Sequence, residues 1–170
     1  MRKSTLIAVA LFFTLTGVDK RDASAATATD TMDVVAAVSS ACSVGISDLD
    51  FQIYDSVVTH RVAPLDAQTT ISIVCAPGRV VRVRIGQGLN PEPGSTDLAP
   101  LRQMAMGSEV LRYNLSTDAA RTTVWPNAAP GVPPPGAGFP AIMDVFGRVE
   151  EGQTPSAGNY FDTVVVTVTF

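Results

Sequence analysis

Apolar and polar residues alternate with a period of two along most of the chain after residue 26. Such alternation is typical of strands that bury one face and expose the other. No long stretch keeps an apolar stripe at helical spacing without interruption by Gly, Pro or β-branched residues. The pattern therefore predicts an all-β domain.

Several strands show this alternation clearly, namely residues 70–75, 79–85, 111–115 and 144–149. In the first strand, Ile71, Ile73 and Cys75 share one face, so the cysteine is predicted to point toward the apolar side. In the second strand, apolar residues alternate with Arg82 and Arg84, which are predicted to form a solvated face of an antiparallel sheet.

A segment rich in Pro and Gly interrupts the strand pattern at residues 126–140. A short strand is predicted just before it, at residues 122–125. Three consecutive prolines at 133–135 remove backbone donors, so the segment is predicted to be an exposed insertion loop within one domain. Trp125, at the base of this loop, is more often a core residue than a contact residue in such a position.

The last predicted strand covers residues 160–170. Val164, Val166, Val168 and Phe170 point to the same side of it. A flat, β-branched edge of this kind invites pairing with another chain. We therefore expect this acceptor edge to be covered by another segment.

A further strand without an obvious hairpin partner is predicted at residues 27–38, where Met32, Val34, Ala36 and Val38 share the inward face. A spare strand at one end and an open edge at the other would let each subunit complete the next. Such head-to-tail contacts grow fibres instead of closed rings. The alternative is that residues 27–38 fold back into their own sheet as an ordinary first strand.

Residues 1–25 have the composition of a secretory signal peptide. A basic tip precedes an apolar run at residues 6–15, and small residues precede the predicted cleavage site between Ala25 and Ala26. The run is too short to cross a bilayer core, which needs about 20 apolar residues. We therefore expect an exported protein without an integral membrane segment.

Export changes the interpretation of the two cysteines. Two thiols in an oxidising compartment pair far more often than they stay free. We therefore predict a disulfide bond between Cys42 and Cys75, located in the core because Cys75 shares a face with apolar residues.

Composition excludes several classes of function. One His and two Cys cannot supply a four-ligand structural zinc site or a three-His catalytic site, and a net charge of −4 gives no electrostatic support for binding nucleic acid. His60 lacks a recognisable nucleophile or metal partner. The adjacent Glu150 and Glu151 are predicted in a solvated turn, and Asp48 and Asp50 lack the further oxygen ligands of a cation site. We expect no catalysis, cofactor or metal.

Several motifs occur in the order seen in one family: Cys42-Ser43-Val44, Leu49-Asp50-Phe51, Ile71-Ser72-Ile73-Val74-Cys75, Arg102-Gln103-Met104, Leu111-Arg112-Tyr113-Asn114-Leu115, Thr123-Val124-Trp125 and Gly158-Asn159-Tyr160-Phe161-Asp162-Thr163-Val164. The chain resembles spore coat U domain proteins, which include the Csu-type subunits of archaic chaperone-usher pili. The resemblance covers nearly all of residues 27–170. The chain departs from the family at Gln52 and Pro126, where Gly is common.

The resemblance implies an incomplete immunoglobulin-like β-sandwich that lacks its last strand and is completed by donor-strand complementation. A periplasmic chaperone would lend a strand, an outer-membrane usher would export the complex, and the extension of the next subunit, residues 26–41, would replace the chaperone. Residues 42–170 would form the pilin domain, with the edge at 161–170 bordering the gap.

The implied function is that of a structural subunit of a surface pilus that supports adhesion and biofilm formation. A single domain favours a shaft or adaptor subunit, because a tip adhesin of this family is expected to carry an extra receptor-binding domain. The alternative is a secreted spore-coat or extracellular-matrix protein built on the same domain without an usher.

Overall fold

A computed structural model describes residues 32, 34–36, 42–136 and 138–170. The chain divides into two units, Met1–Ala37 and Val38–Phe170, and the β-domain belongs to the second. The predicted signal peptide with its Ala25–Ala26 cleavage site lies outside the described residues, as does Val38 of the predicted donor strand.

Seven strands build the domain: β1 (Cys42–Ile46), β2 (Leu65–Cys75), β3 (Arg82–Ile85), β4 (Arg102–Met106), β5 (Glu109–Ser116), β6 (Ala141–Val149) and β7 (Val166–Thr169). They form a five-stranded sheet in the order β1-β2-β6-β5-β4 and a two-stranded sheet in which β3 pairs with β7. All strand pairs are antiparallel. The described residues contain no helix, so the all-β prediction is confirmed.

One hydrophobic core joins the two sheets. Its buried members come from β2, β3, β5 and β6, together with Val81 and Trp125. The alternation in the sequence is responsible, because inward-facing positions such as Ile71 and Ile73 are buried while Ser72 between them is exposed. The prediction that Trp125 belongs to the core is confirmed, since its side chain is 1% exposed.

The structure joins Cys42 and Cys75 in a disulfide bond, in agreement with the prediction. The two residues lie opposite each other in the β1–β2 register. Cys75 is buried, and Cys42 is half-buried against the core. The bond therefore links β1 to β2 at the edge of the core.

Two local predictions about residues 122–140 need correction. Residues 122–125 do not form a strand, because only Val124 bridges to the sheet, at Ser116. The Pro-rich segment is not simply an exposed insertion, since Val132 exchanges two hydrogen bonds of 2.8 Å with Val83 of β3. Phe139 also packs against the core. Val132 stands just before the proline run, where a backbone N–H is still available to donate.

The two arginines that were predicted to form a solvated face, and the last predicted strand, also differ from expectation. Arg82 and Arg84 are half-buried instead of fully solvated, and the Arg84 guanidinium donates to the backbone oxygen of Asn127 at 3.5 Å. Regular pairing of the last strand covers only Val166–Thr169. Before it, Phe161 bridges to Ala105 of β4, because the chain passes from one sheet to the other over this stretch.

Candidate functional site

The outer strand β7 exposes part of its core-facing side. Val168 lies opposite Val83, and Val166 lies opposite Ile85. Directly opposed residues of an antiparallel pair point to the same face, and Val83 and Ile85 are 0% and 2% exposed. Val166 and Val168 therefore face the core as well, yet both are only half-buried.

The rest of the predicted acceptor row behaves in the same way. Val164 has the same parity as Val166 and is half-buried against the core. Phe170, just beyond the end of β7, is 51% exposed. The structure thus places all four predicted acceptor residues along one incompletely covered row.

A second uncovered row lies on β1, which the sequence analysis did not single out. Val44 lies opposite Ile73, and Ile46 lies opposite Ile71. The two β2 residues are buried, whereas Val44 and Ile46 are 39% and 55% exposed. The alternation of Cys42, Val44 and Ile46 marks this face in the sequence, but only the position of β1 at the sheet edge leaves it uncovered.

The other two outer strands are closed by single bridges. Phe161 exchanges hydrogen bonds of 2.9 and 3.1 Å with Ala105 of β4, and Val132 closes β3 through Val83. Among the described residues, no strand or bridge pairs with the outer edge of β1 or of β7. The outer edges of β1 and of β7 are therefore both unpaired among the described residues, and we call these two edges together the open side.

A buried arginine lies next to the end of β3, the strand that pairs with β7. Arg102 of β4 is 1% exposed. Its Nε donates to the backbone oxygen of Gly86 at 2.8 Å, and its Nη2 donates to those of Ile85 and Trp125 at 2.8 and 2.9 Å. Burial lowers the pKa of Arg102 to about 10, which leaves the guanidinium charged at neutral pH. These bonds tie β4 to the end of β3.

Asp162 anchors the segment that leads into β7. The buried Tyr113 hydroxyl donates to its Oδ2 at 2.6 Å, and the Leu89 N–H donates to its Oδ1 at 2.8 Å. Burial, followed by the bond to Asp162, raises the pKa of Tyr113 well above its ordinary value. Gly88 lies so close to this carboxylate, with φ +86°, that a side chain there would collide with it.

Arg102, Tyr113 and Asp162 occur in the sequence as parts of motifs, and no role was predicted for them. The structure gathers them around the start of the last strand. The sequence signal for this buried polar network is Arg102, because a charged residue at an inward-facing strand position needs buried hydrogen-bond partners.

The predicted donor residues that the structure describes are exposed. Met32 and Val34 are each 84% exposed, and Ala36 is exposed as well. Val35, which has the opposite parity, is also exposed.

His60, the one histidine of the chain, makes packing and backbone contacts. The His60 ring stacks on Tyr54 with centroids 5.1 Å apart, and its Nδ1 lies 3.1 Å from the backbone oxygen of Ala63. In the described part of the chain, no three His, Cys, Asp or Glu residues are grouped so that they could hold a metal ion.

No helix in the part of the chain described by the structure is long and apolar enough to cross a membrane.

Comparisons with known proteins identify the family of the chain. Residues 28–167 match the family model of the Spore Coat Protein U domain. The chain is 40% identical over 157 residues to Protein U of Myxococcus xanthus. The aligned region covers 87% of this chain and 88% of that protein.

A solved structure has a similar fold. It is the CsuC–CsuE chaperone–tip adhesion subunit pre-assembly complex from archaic chaperone-usher Csu pili of Acinetobacter baumannii. The TM-score is 0.53 at 22% identity, and the match covers 78% of this chain but only 40% of the matched chain. The protein is therefore a member of the spore coat protein U domain family, with an immunoglobulin-like all-β pilin fold.

Proposed function

We propose that this protein is a structural subunit of a chaperone-usher surface pilus, which polymerises when the N-terminal segment of one copy inserts along β1 and β7 of the next. The observation that carries the proposal is the pair of uncovered, core-facing rows on these two strands. A sandwich that was complete by itself would bury Val44, Ile46, Val166 and Val168 as it buries their cross-strand partners.

The predicted donor segment has the chemistry that this open side requires. Met32, Val34, Ala36 and Val38 would point inward from one strand, and their spacing matches the period-two rows on β1 and β7. Met32, Val34 and Val38, at about 1.5–3 kcal/mol each, would contribute on the order of 4.5–9 kcal/mol before ordering costs, and the single methyl of Ala36 would add about 0.8 kcal/mol. Backbone hydrogen bonds along both edges would add to this.

The proposal includes partners and a route. Before assembly, a periplasmic chaperone would cover the open side, and an outer-membrane usher would export the subunit to the cell surface. Family membership supports this assignment, and so does the fold match to a chaperone–subunit complex. In the assembled state the protein would support adhesion and biofilm formation as a polymer, without catalysis.

The test exploits the two faces of the donor strand. Deleting residues 27–38, or introducing Val34→Asp, should leave subunits that co-purify with the chaperone but form no detergent-resistant ladder on unboiled gels. The matched control is Val35→Asp, which places the same charge on the opposite face and should still polymerise. Full-length fibres from the deletion or from Val34→Asp would refute the proposal.

A second candidate is a secreted spore-coat or extracellular-matrix protein that uses the same domain without an usher. The 40% identity to Protein U of Myxococcus xanthus, in a family described as Spore Coat Protein U, favours it. Expression in a host that has the chaperone but no usher distinguishes the two candidates. Surface polymer formed in that host would support the second candidate.

A further inference from the structure

The loop between β1 and β2 exposes a set of aliphatic side chains, which we call the apolar loop. Its members Ile53, Val57, Val58 and Val62 are between 71% and 82% exposed. A single exposed aliphatic residue is ordinary, but several in one loop are typical of a surface that contacts another molecule.

Hydrogen bonds hold the apolar loop in a fixed conformation. The Asp55 carboxylate accepts the N–H groups of Val57 and Val58 at 3.0 and 3.1 Å, and these backbone bonds lower the pKa of Asp55. The Tyr54 hydroxyl lies 3.1 Å from the backbone oxygen of His60 and accepts the N–H of Gln153 at 3.0 Å. The valines are therefore presented by an ordered turn, so docking them costs little conformational entropy.

The apolar loop lies at one end of the domain, which we call the loop end. There β2 begins and β6 ends, with Leu65 opposite Val149, and the N–H of Gly152 donates to the His60 oxygen at 2.8 Å. The eleven residues of β2 separate it from the opposite end by about 33 Å.

We call the opposite end the disulfide end. Cys42 lies opposite Cys75 there, and β7 finishes beside the start of β3, with Thr169 opposite Arg82. The N-terminal extension joins the domain at Cys42, and therefore joins it at the disulfide end.

This geometry restricts how copies can stack if the donor strand inserts as proposed above. The strand β7 runs from the loop end to the disulfide end. A donor antiparallel to β7 would finish at the loop end and bring the disulfide end of its own domain there. A donor parallel to β7 would finish at the disulfide end of the first copy and place the next domain there. The first copy's own N-terminal extension leaves from that same end, so the two would compete for the same space. Only the antiparallel arrangement lets the chain of copies continue.

The two ends also have complementary surfaces. At the disulfide end, the turn between β2 and β3 exposes Arg79 and Val80, and Val80 is 73% exposed. At the loop end, the exposed Glu150 and Glu151 lie on the segment that is bonded to the apolar loop. The aliphatic side chains of the apolar loop would therefore meet Val80, and the carboxylates of Glu150 and Glu151 would lie near the guanidinium of Arg79.

We propose that the apolar loop docks on the turn at residues 77–80 of a second copy of this chain in the fibre. This contact rests on the proposed donor-strand polymerisation and adds to it a second, non-covalent contact between neighbouring copies. Its effect is to limit the bending of neighbouring domains about the linking strand.

Cysteine cross-linking tests this contact. In fibres of the Val58→Cys, Val80→Cys double variant, mild oxidation should join neighbouring copies, so that a ladder survives boiling without reductant and collapses with reductant. In the control, Val58→Cys is combined with Gln68→Cys, an exposed position in the middle of β2. The control should show a ladder only before boiling.

The outcomes separate the two proposals. A boiling-resistant ladder that is specific to the Val58–Val80 pair supports the docking. A ladder before boiling that shows no more cross-linking than the control refutes the docking and leaves the donor-strand proposal standing. If the unmodified protein gives no ladder even before boiling, the donor-strand proposal fails, and the docking fails with it.

A variant without new cysteines gives an independent measurement. Val57→Ser with Val58→Ser should keep the unboiled ladder, because the donor strand is unchanged, but should shorten the persistence length of the fibres in electron micrographs. Leu98→Ser, another exposed apolar residue, is the control and should leave the persistence length unchanged. An unchanged persistence length in the valine variant would contradict the docking.

Discussion

The hydrogen bond from Tyr113 to Asp162 offers a sharp test of how the last strand is held. Tyr113→Phe removes only the hydroxyl that donates to Asp162 Oδ2 at 2.6 Å. The ring stays in place against Phe51, where the two centroids are 5.9 Å apart in an edge-on arrangement. The substitution therefore deletes one buried hydrogen bond with little change in packing.

The size of the effect follows from the charge of the acceptor. A hydrogen bond to a charged group contributes about 1.5–3 kcal/mol. Asp162 is half-buried, so water can partly replace the lost donor, and we expect the free energy of unfolding to fall by about 2 kcal/mol. For a domain of this size, that corresponds to a fall in Tm of roughly 6–10 °C.

Denaturant unfolding can be followed by fluorescence, because the chain has one tryptophan and Trp125 is buried. The matched control is Tyr160→Phe, which removes a hydroxyl that donates to the backbone oxygen of Ser156 at 2.9 Å near the surface. This control should change stability by less than about 0.5 kcal/mol.

If Tyr113→Phe lowered the free energy of unfolding no more than Tyr160→Phe does, the bond to Asp162 would contribute nothing to holding the last strand. A double-mutant cycle with Asp162→Asn provides a second check. If the network acts as described, the effects of Tyr113→Phe and Asp162→Asn will be less than additive. Independent, additive losses would show that the two side chains contribute through other contacts.

Three further predictions concern stability. Replacing both Cys42 and Cys75 by Ser should lower the free energy of unfolding by roughly 3–4 kcal/mol in denaturant titrations, because the bond closes a 33-residue separation. Gly147→Ala should cost about 1–3 kcal/mol, since its Cβ would lie 2.6 Å from the nearest packed side-chain carbon, whereas Gly138→Ala, with nothing within 4 Å, should be neutral. A hydrogen bond from Arg148 lowers the pKa of Asp66 below 3.8. The contribution of Asp66 to stability is therefore present above that pH and is lost as the pH falls through the lower pKa of the folded state. Asp66→Asn should flatten the acid side of the Tm–pH curve, and an unchanged curve would contradict this.

The fold class and the faces of the strands are specified by the local pattern of residues. The alternation at residues 70–75 and 111–115 identified which side chains are buried, because successive residues of a strand point to opposite faces whatever lies beside them. The disulfide partners followed from the count of cysteines and the expected oxidising compartment. These properties are local or compositional, and they need no knowledge of neighbouring strands.

Which strand edges stay open depends instead on contacts between distant parts of the chain. Val44 and Ile73 have similar local patterns, yet Ile73 is buried and Val44 is exposed, because β2 lies between two strands and β1 lies at an edge. In the same way, Val132 closes β3 from within a Pro-rich segment that local composition predicts to be an exposed loop. The strands that pair with each other, and the carbonyl groups that accept from Arg102, come from distant parts of the chain. Sequence periodicity specifies which face of a strand is apolar, but it does not specify which distant segment covers that face.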